Sequence, residues 1–214
     1  MAQTQPLEAQ LLREAAEWRL ISTLFSRPTE DWSSAIRATG SELTDPSLKD
    51  ACAAALKEGS EGVHHSLFGP GGPAPPREAS YRTTLQLGYV LSELETYYGS
   101  FGYTPVTEET PDHVAVETDF AAYLCLKQAL AAALGRSEQA EIARAALERF
   151  GKDHLSFIAE PLCRSLEHSG VRYLELASAA LLERVGPPES TETAAENVAE
   201  QLVTIQDATF SCGT

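Results

Sequence analysis

The chain predicts an all-α fold, a single-domain helical bundle built around one core. Apolar residues recur at spacings of three and four almost throughout. Alternating β-branched runs are absent, and prolines and glycines fall where helices of ordinary length should start or stop. At 214 residues the chain is long enough for one well-buried core, so one domain is expected.

The first helix carries Leu7, Leu11, Ala15, Trp18, Ile21 and Phe25 on one face, with Pro6 in its first turn and Pro28 as its stop. Thr29 reads as the cap of a shorter helix with Trp32 and Ile36, ending near Gly40. Asp45-Pro46 opens a third helix through Leu48, Cys52 and Leu56, which stops at Gly59. His64-His65 reads as a solvated pair near a helix end. Gly69 to Pro76 can hold neither a helix nor a central strand. Leu67-Phe68 and Tyr81 should anchor that loop at both ends, and a long anchored loop inside a compact domain tends to be functional.

Leu87, Leu91, Leu94, Tyr97 and Tyr98 form the next helix, ending in the segment Gly99–Gly102. Thr110 reads as a cap and Pro111 as the start of the best helix, which carries Val114, Phe120, Tyr123, Leu124, Leu130 and Leu134 and stops at Gly135. A helix over 137–151 follows, then one from His154 to Leu166, bent or started near Pro161, then one from Val171 to Val185. Gly186-Pro187-Pro188 marks the single boundary. Residues 1–185 are read as the helical domain and 186–214 as an acidic C-terminal tail.

A net charge of −15 argues against nucleic acid and anionic membrane surfaces, which select a basic face, and suits a partner with basic groups. Nothing resembles a signal peptide or an apolar span of ~20 residues, so a cytoplasmic protein without stable membrane insertion is expected. Four cysteines lie far apart with no Cys-x-x-Cys pair, which disfavours structural zinc and disulfides. Cys125 and Cys163 read as buried, whereas Cys212 reads as exposed.

The chemistry-bearing residues cluster in a few places. Asp112 and His113, placed on the first turn of a helix, meet free backbone N–H groups and the positive end of the helix dipole. That justifies Asp112 structurally, while a neutral His113 would offer a hydrogen bond to a bound peptide. Asp153-His154 repeats the pair. His113 and Glu117 have helical ligand spacing, so a metal-dependent hydrolase using His113, Glu117 and His154 is the alternative from another class. Its Asp-His order is the reverse of that in the HD-type phosphohydrolases. A generic helical interaction module is a third reading. No nucleophile motif or phosphate loop is present, and no cofactor or resident metal is expected.

Three stretches, taken in order, resemble the TorD/DmsD/NarJ family of redox-enzyme maturation chaperones. The first is Leu67-Phe68-Gly69-Pro70 running through Pro75-Pro76 to Glu78-Ala79-Ser80-Tyr81. The second is Tyr97-Tyr98 with Phe101-Gly102, then Pro111-Asp112-His113, Glu117 and Phe120. The third is His154-Leu155 with Phe157. The similarity covers roughly residues 10–185. It implies a non-enzymatic chaperone, monomer or homodimer, that binds the apo catalytic subunit of a molybdopterin-dependent oxidoreductase, or its twin-arginine leader, before export. Carried over, the client-binding positions are Leu67, Phe68, Tyr81, Pro111, Asp112 and His113, with Glu78, Glu117 and His154 in support. The resemblance also implies that Asp112 could pair with a leader arginine.

Overall fold

A computed structural model describes residues 7–82 and 87–188, and among these the chain is all-helical with no strand. Pro6 and Cys212 lie outside the described residues, as does the tail from residue 189 onward. Nine α-helices are described: α1 (Leu7–Phe25), α2 (Trp32–Glu42), α3 (Pro46–Glu58), α4 (Glu61–Phe68), α5 (Leu87–Phe101), α6 (Val114–Ala133), α7 (Ser137–Phe150), α8 (Ser156–Leu166) and α9 (Arg172–Val185). Among the described residues no helix is long and apolar enough to cross a membrane.

The centre of the bundle is α6, which packs along α1 on one side and α7 on the other. A second layer is made by α9 against α3 and α8, with α2 bridging α1 and α3. Most of α6 is buried because its residues are small or apolar on nearly every face down to Cys125, from Val114 and Val116 through Phe120, Ala121 and Leu124. Leu20, Ile21, Leu24 and Phe25 of α1 are fully covered, each stabilising the fold by about 1.5–3 kcal/mol.

Local signals place most ends. Asp45 accepts from the backbone N–H groups of Ser47 and Leu48, with Pro46 at the first helical position, so α3 begins as the sequence predicts. The second helix differs. Asp31, not Thr29, precedes its first turn, and the helix runs through Gly40 to Glu42. Helix α4, capped by the Ser60 hydroxyl, was not anticipated. It turns the expected solvated histidine pair into an asymmetric one. His64 is buried, with Nε2 3.3 Å from the Phe25 carbonyl oxygen and its ring against Phe68, while His65 is exposed. The first two of the three helices expected after Gly135 form one continuous helical path, joined by a π turn over Gly151–Leu155, and Pro161 lies inside α8. Cys125 is buried as expected, but Cys163 is partly exposed.

The largest correction concerns the start of α6. The helix begins at Val114, and His113 is its N-cap, so Pro111 and Asp112 precede the helix. Backbone pairing holds that entry segment against the far end of the loop. Glu78 N–H donates to the Asp112 carbonyl and Val114 N–H to the Pro76 carbonyl, each at 2.8 Å, around an antiparallel bridge between Arg77 and His113.

Candidate functional site

The loop after α4 doubles back on its own helix. Ala74 N–H donates to the Leu67 carbonyl at 3.1 Å, and a Cβ on Gly72 would run into that same carbonyl oxygen. Gly69 is equally constrained, because a Cβ there would strike the His65 carbonyl oxygen. At the far end the Tyr81 hydroxyl donates to the Pro75 carbonyl at 2.8 Å. The loop is therefore a fixed wall. Between it, α4 and residues 109–113 lies a groove of about 700 Å³ with Phe68, Pro70 and Pro75 on its apolar side and Arg77, Glu109 and His113 on its polar side.

Of the residues expected to bind a client, Phe68 and His113 line this groove. Leu67 is buried behind it and Tyr81 closes the loop. The Pro111 carbonyl accepts from the Tyr98 hydroxyl at 2.8 Å, and Asp112 is fully buried. Both Asp112 oxygens take the guanidinium of Arg77, at 3.0 and 3.1 Å from Nε. The carboxylate expected to meet a leader arginine is thus already paired within the chain, and its effect on the groove passes through Arg77.

His113 divides its two nitrogens. Nδ1 accepts from Ala115 N–H at 3.1 Å, satisfying one of the free donors at the α6 N-terminus. In the neutral ring the proton then sits on Nε2, which lies 3.8 Å from Glu109 on the groove rim, too far for a hydrogen bond. Burial pushes the His113 pKa down to about 4, with the nearby His64 and Arg77 adding to it against Asp112. The imidazole is therefore neutral and presents a directed N–H.

Behind the groove wall lies a buried polar cluster that joins the loop to α6 and the π turn. Glu78 is fully covered. His154 Nδ1 donates to its Oε2 at 3.1 Å, and Arg82 Nε lies 2.6 Å from its Oε1 in a charge contact without hydrogen-bond geometry. Arg82 also donates to the Asp153 carbonyl and covers the Phe157 ring at 3.9 Å. Glu117 completes the cluster. As a carboxylate it would find no donor for either oxygen, and burial, with Glu78 and Asp112 close by, raises its pKa well above the usual range. Burial and the neighbouring carboxylates thus favour the neutral, protonated form of Glu117.

This assignment carries a pH prediction. The unfolded Glu117 loses its proton near the ordinary ~4.3, while the folded one keeps it. Its contribution is therefore intact below ~4.3 and is lost as pH rises toward the folded value. Glu117→Gln should raise the melting temperature at pH 8 by about 3 °C or more, the size of ~1 kcal/mol in a chain of this length, and change it little at pH 4. Thermal melts at the two pH values check this, and a variant less stable than the parent at pH 8 refutes the neutral acid.

The metal-hydrolase alternative gains no support. His154 is committed to Glu78 and His113 to Ala115. Among the described residues no group of three or more His, Cys, Asp or Glu side chains is placed to hold a metal ion.

Two residues central to this site were missing from the sequence reading, Arg77 and Arg82. The signal available was indirect: a carboxylate buried in a helical core needs a nearby cation. Arg77 and Arg82 flank Glu78 in the sequence.

A profile of the nitrate reductase delta subunit family matches residues 36–164, more than half of the chain. The match lies inside the 10–185 expected from the order of helices and spans α4, the loop, the start of α6 and the π turn. A search of curated proteins finds no match. The helical fold, the loop and the match together establish that the chain belongs to the nitrate reductase delta subunit family, the NarJ/TorD-like chaperones that mature molybdoenzymes.

Proposed function

We propose that this chain is a cytoplasmic, non-catalytic chaperone that holds the apo catalytic subunit of a molybdopterin-dependent oxidoreductase, by its leader or another exposed segment, until the cofactor is inserted. The observation that carries the reading is the groove itself, in which Phe68 supplies an apolar contact and His113 a directed N–H. A client segment laid along it would bury apolar side chains against Phe68 and Pro75 and give a backbone carbonyl to His113 Nε2. Leader arginines would meet Glu109 on the rim, since Asp112 is held by Arg77 and Glu61 by Arg27. Asp112 then acts as a positioning residue, fixing the Arg77 guanidinium at the groove wall.

The test separates contact from fold. His113→Asn retains a good N-cap but removes the Nε2 donor, and Phe68→Ala removes the apolar contact. Each should weaken binding of a client leader peptide about tenfold, a loss of ~1.4 kcal/mol, and lower client activity in cells while the helical fold persists. Copurification from the native cytoplasm should yield one large molybdopterin-type subunit, and the double variant should lose it. A double variant that matures its client normally removes the groove from the mechanism.

A further inference from the structure

Away from the groove, the outer face of α6 is the least expected surface of this molecule. From Phe120 through Gly135 the only charged residue is Lys127, in a chain of which 22% is charged. Leu126, Leu130 and Leu134 follow one another at spacings of four on this face and are 48%, 61% and 55% exposed. Ile142 of α7, 52% exposed, stands beside them. A few isolated exposed leucines are ordinary, but a contiguous apolar ridge marks a contact surface. Between α6 and α7 the ridge borders a groove of about 270 Å³ floored by Ala131 and Ala143.

The charges around that groove define what fits it. Lys127 and Arg136 line it, and no acidic side chain does, although the chain holds 31 Asp and Glu against 16 Lys and Arg. Lys127 leans over the Tyr123 ring, and neither cation forms an ion pair with a described residue. Lys127 belongs to α6, and Arg136 caps α7 just past the turn at Gly135. We propose that this face is a docking site for a partner protein's amphipathic helix, one with an apolar ridge flanked by carboxylates. Residues four apart form the ridges by which helices interlock, so the leucine row supplies one half of such a packing and the alanine floor admits the other. Carboxylates on the incoming helix would pair with Lys127 and Arg136.

Two other occupants fit less well. A second copy docked face to face by a two-fold axis would set Lys127 and Arg136 against their own images. An anionic bilayer would meet a chain of net charge −15, which two cations do not offset, and it would not fill a concave groove.

The test uses the full chain and two synthetic helical peptides with leucines at i, i+4, i+8 and i+11, one flanked by glutamates and the other by lysines. Fluorescence anisotropy should show saturable binding of the glutamate peptide, at least tenfold tighter than the lysine peptide and weakened by salt. Leu130→Asp should abolish it without loss of stability, because that side chain is exposed. Lys127→Glu with Arg136→Glu should reverse the preference. His113→Asn should leave it unchanged, which separates this face from the client groove. Equal binding of the two peptides, or none, overturns the proposal. So does sedimentation showing a dimer that Leu130→Asp dissociates, or flotation with phosphatidylglycerol vesicles that Leu130→Asp abolishes.

Discussion

Arg82→Ala should destabilise the fold by about 3–5 kcal/mol, the range for removing one partner of a buried ion pair. The Arg82 side chain is only 8% exposed and makes contacts in several directions. It neutralises Glu78, donates to the Asp153 carbonyl, approaches Glu93 at 3.7 Å and covers Phe157. Removing it leaves Glu78 fully buried beside Glu117 and Asp112 with only His154 to answer its charge. The cost comes mainly from that stranded carboxylate, not from the net worth of the pair, and this distinction is testable. Glu78→Gln added to Arg82→Ala should recover a large part of the loss, because a neutral amide can still accept from His154. Denaturant unfolding of the two variants measures both effects. A loss under 1 kcal/mol for Arg82→Ala, or no recovery in the double variant, would mean that water reaches the cluster.

How far the sequence carried the reading depends on the range of each signal. Local signals carry furthest: Asp45-Pro46 opens α3, and the predicted apolar face of α1 is buried from Leu11 through Ala15, Trp18 and Ile21 to Phe25, although Leu7 at its start is 57% exposed. Helix α4 was missed because Glu61–Phe68 is short, with Gly62 and two histidines masking its periodicity. His64 is buried because its Nε2 approaches a carbonyl 39 residues away, a partner that no local pattern names. The site shows the same division. The residue types at Phe68, Asp112 and His113 were legible, and the loop was recognisable from its prolines and glycines. The roles were not, because they are set by tertiary partners. Asp112 faces Arg77, 35 residues earlier in the chain, and the Nδ1 of His113 is used by α6 itself.

Phe120→Ala should cost about 3–5 kcal/mol and lower the melting temperature by about 10 °C, making it the most damaging truncation of an apolar side chain in α6. Phe120 is fully buried at the hub of an aromatic cluster, with ring centroids 4.8 Å from Tyr98, 5.2 Å from Tyr103 and 4.8 Å from Phe150. These rings come from α5, the segment after it and α7, so the cavity left by alanine would lie where three parts of the chain converge and could not collapse without moving one of them. Phe120→Leu keeps most of the volume and should cost far less. Leu130→Ala, on the same helix but 61% exposed, should change stability by no more than about 0.5 kcal/mol. The contrast reaches the groove as well. Tyr98 packs on Phe120 and its hydroxyl holds the Pro111 carbonyl, so loosening the cluster loosens the segment that carries Asp112 and His113. Phe120→Ala should therefore speed hydrogen exchange at residues 111–115 and weaken client peptide binding, whereas Leu130→Ala should alter neither. Unchanged exchange in Phe120→Ala would show that the groove is held by the Arg77–Asp112 pair and the flanking backbone bonds alone.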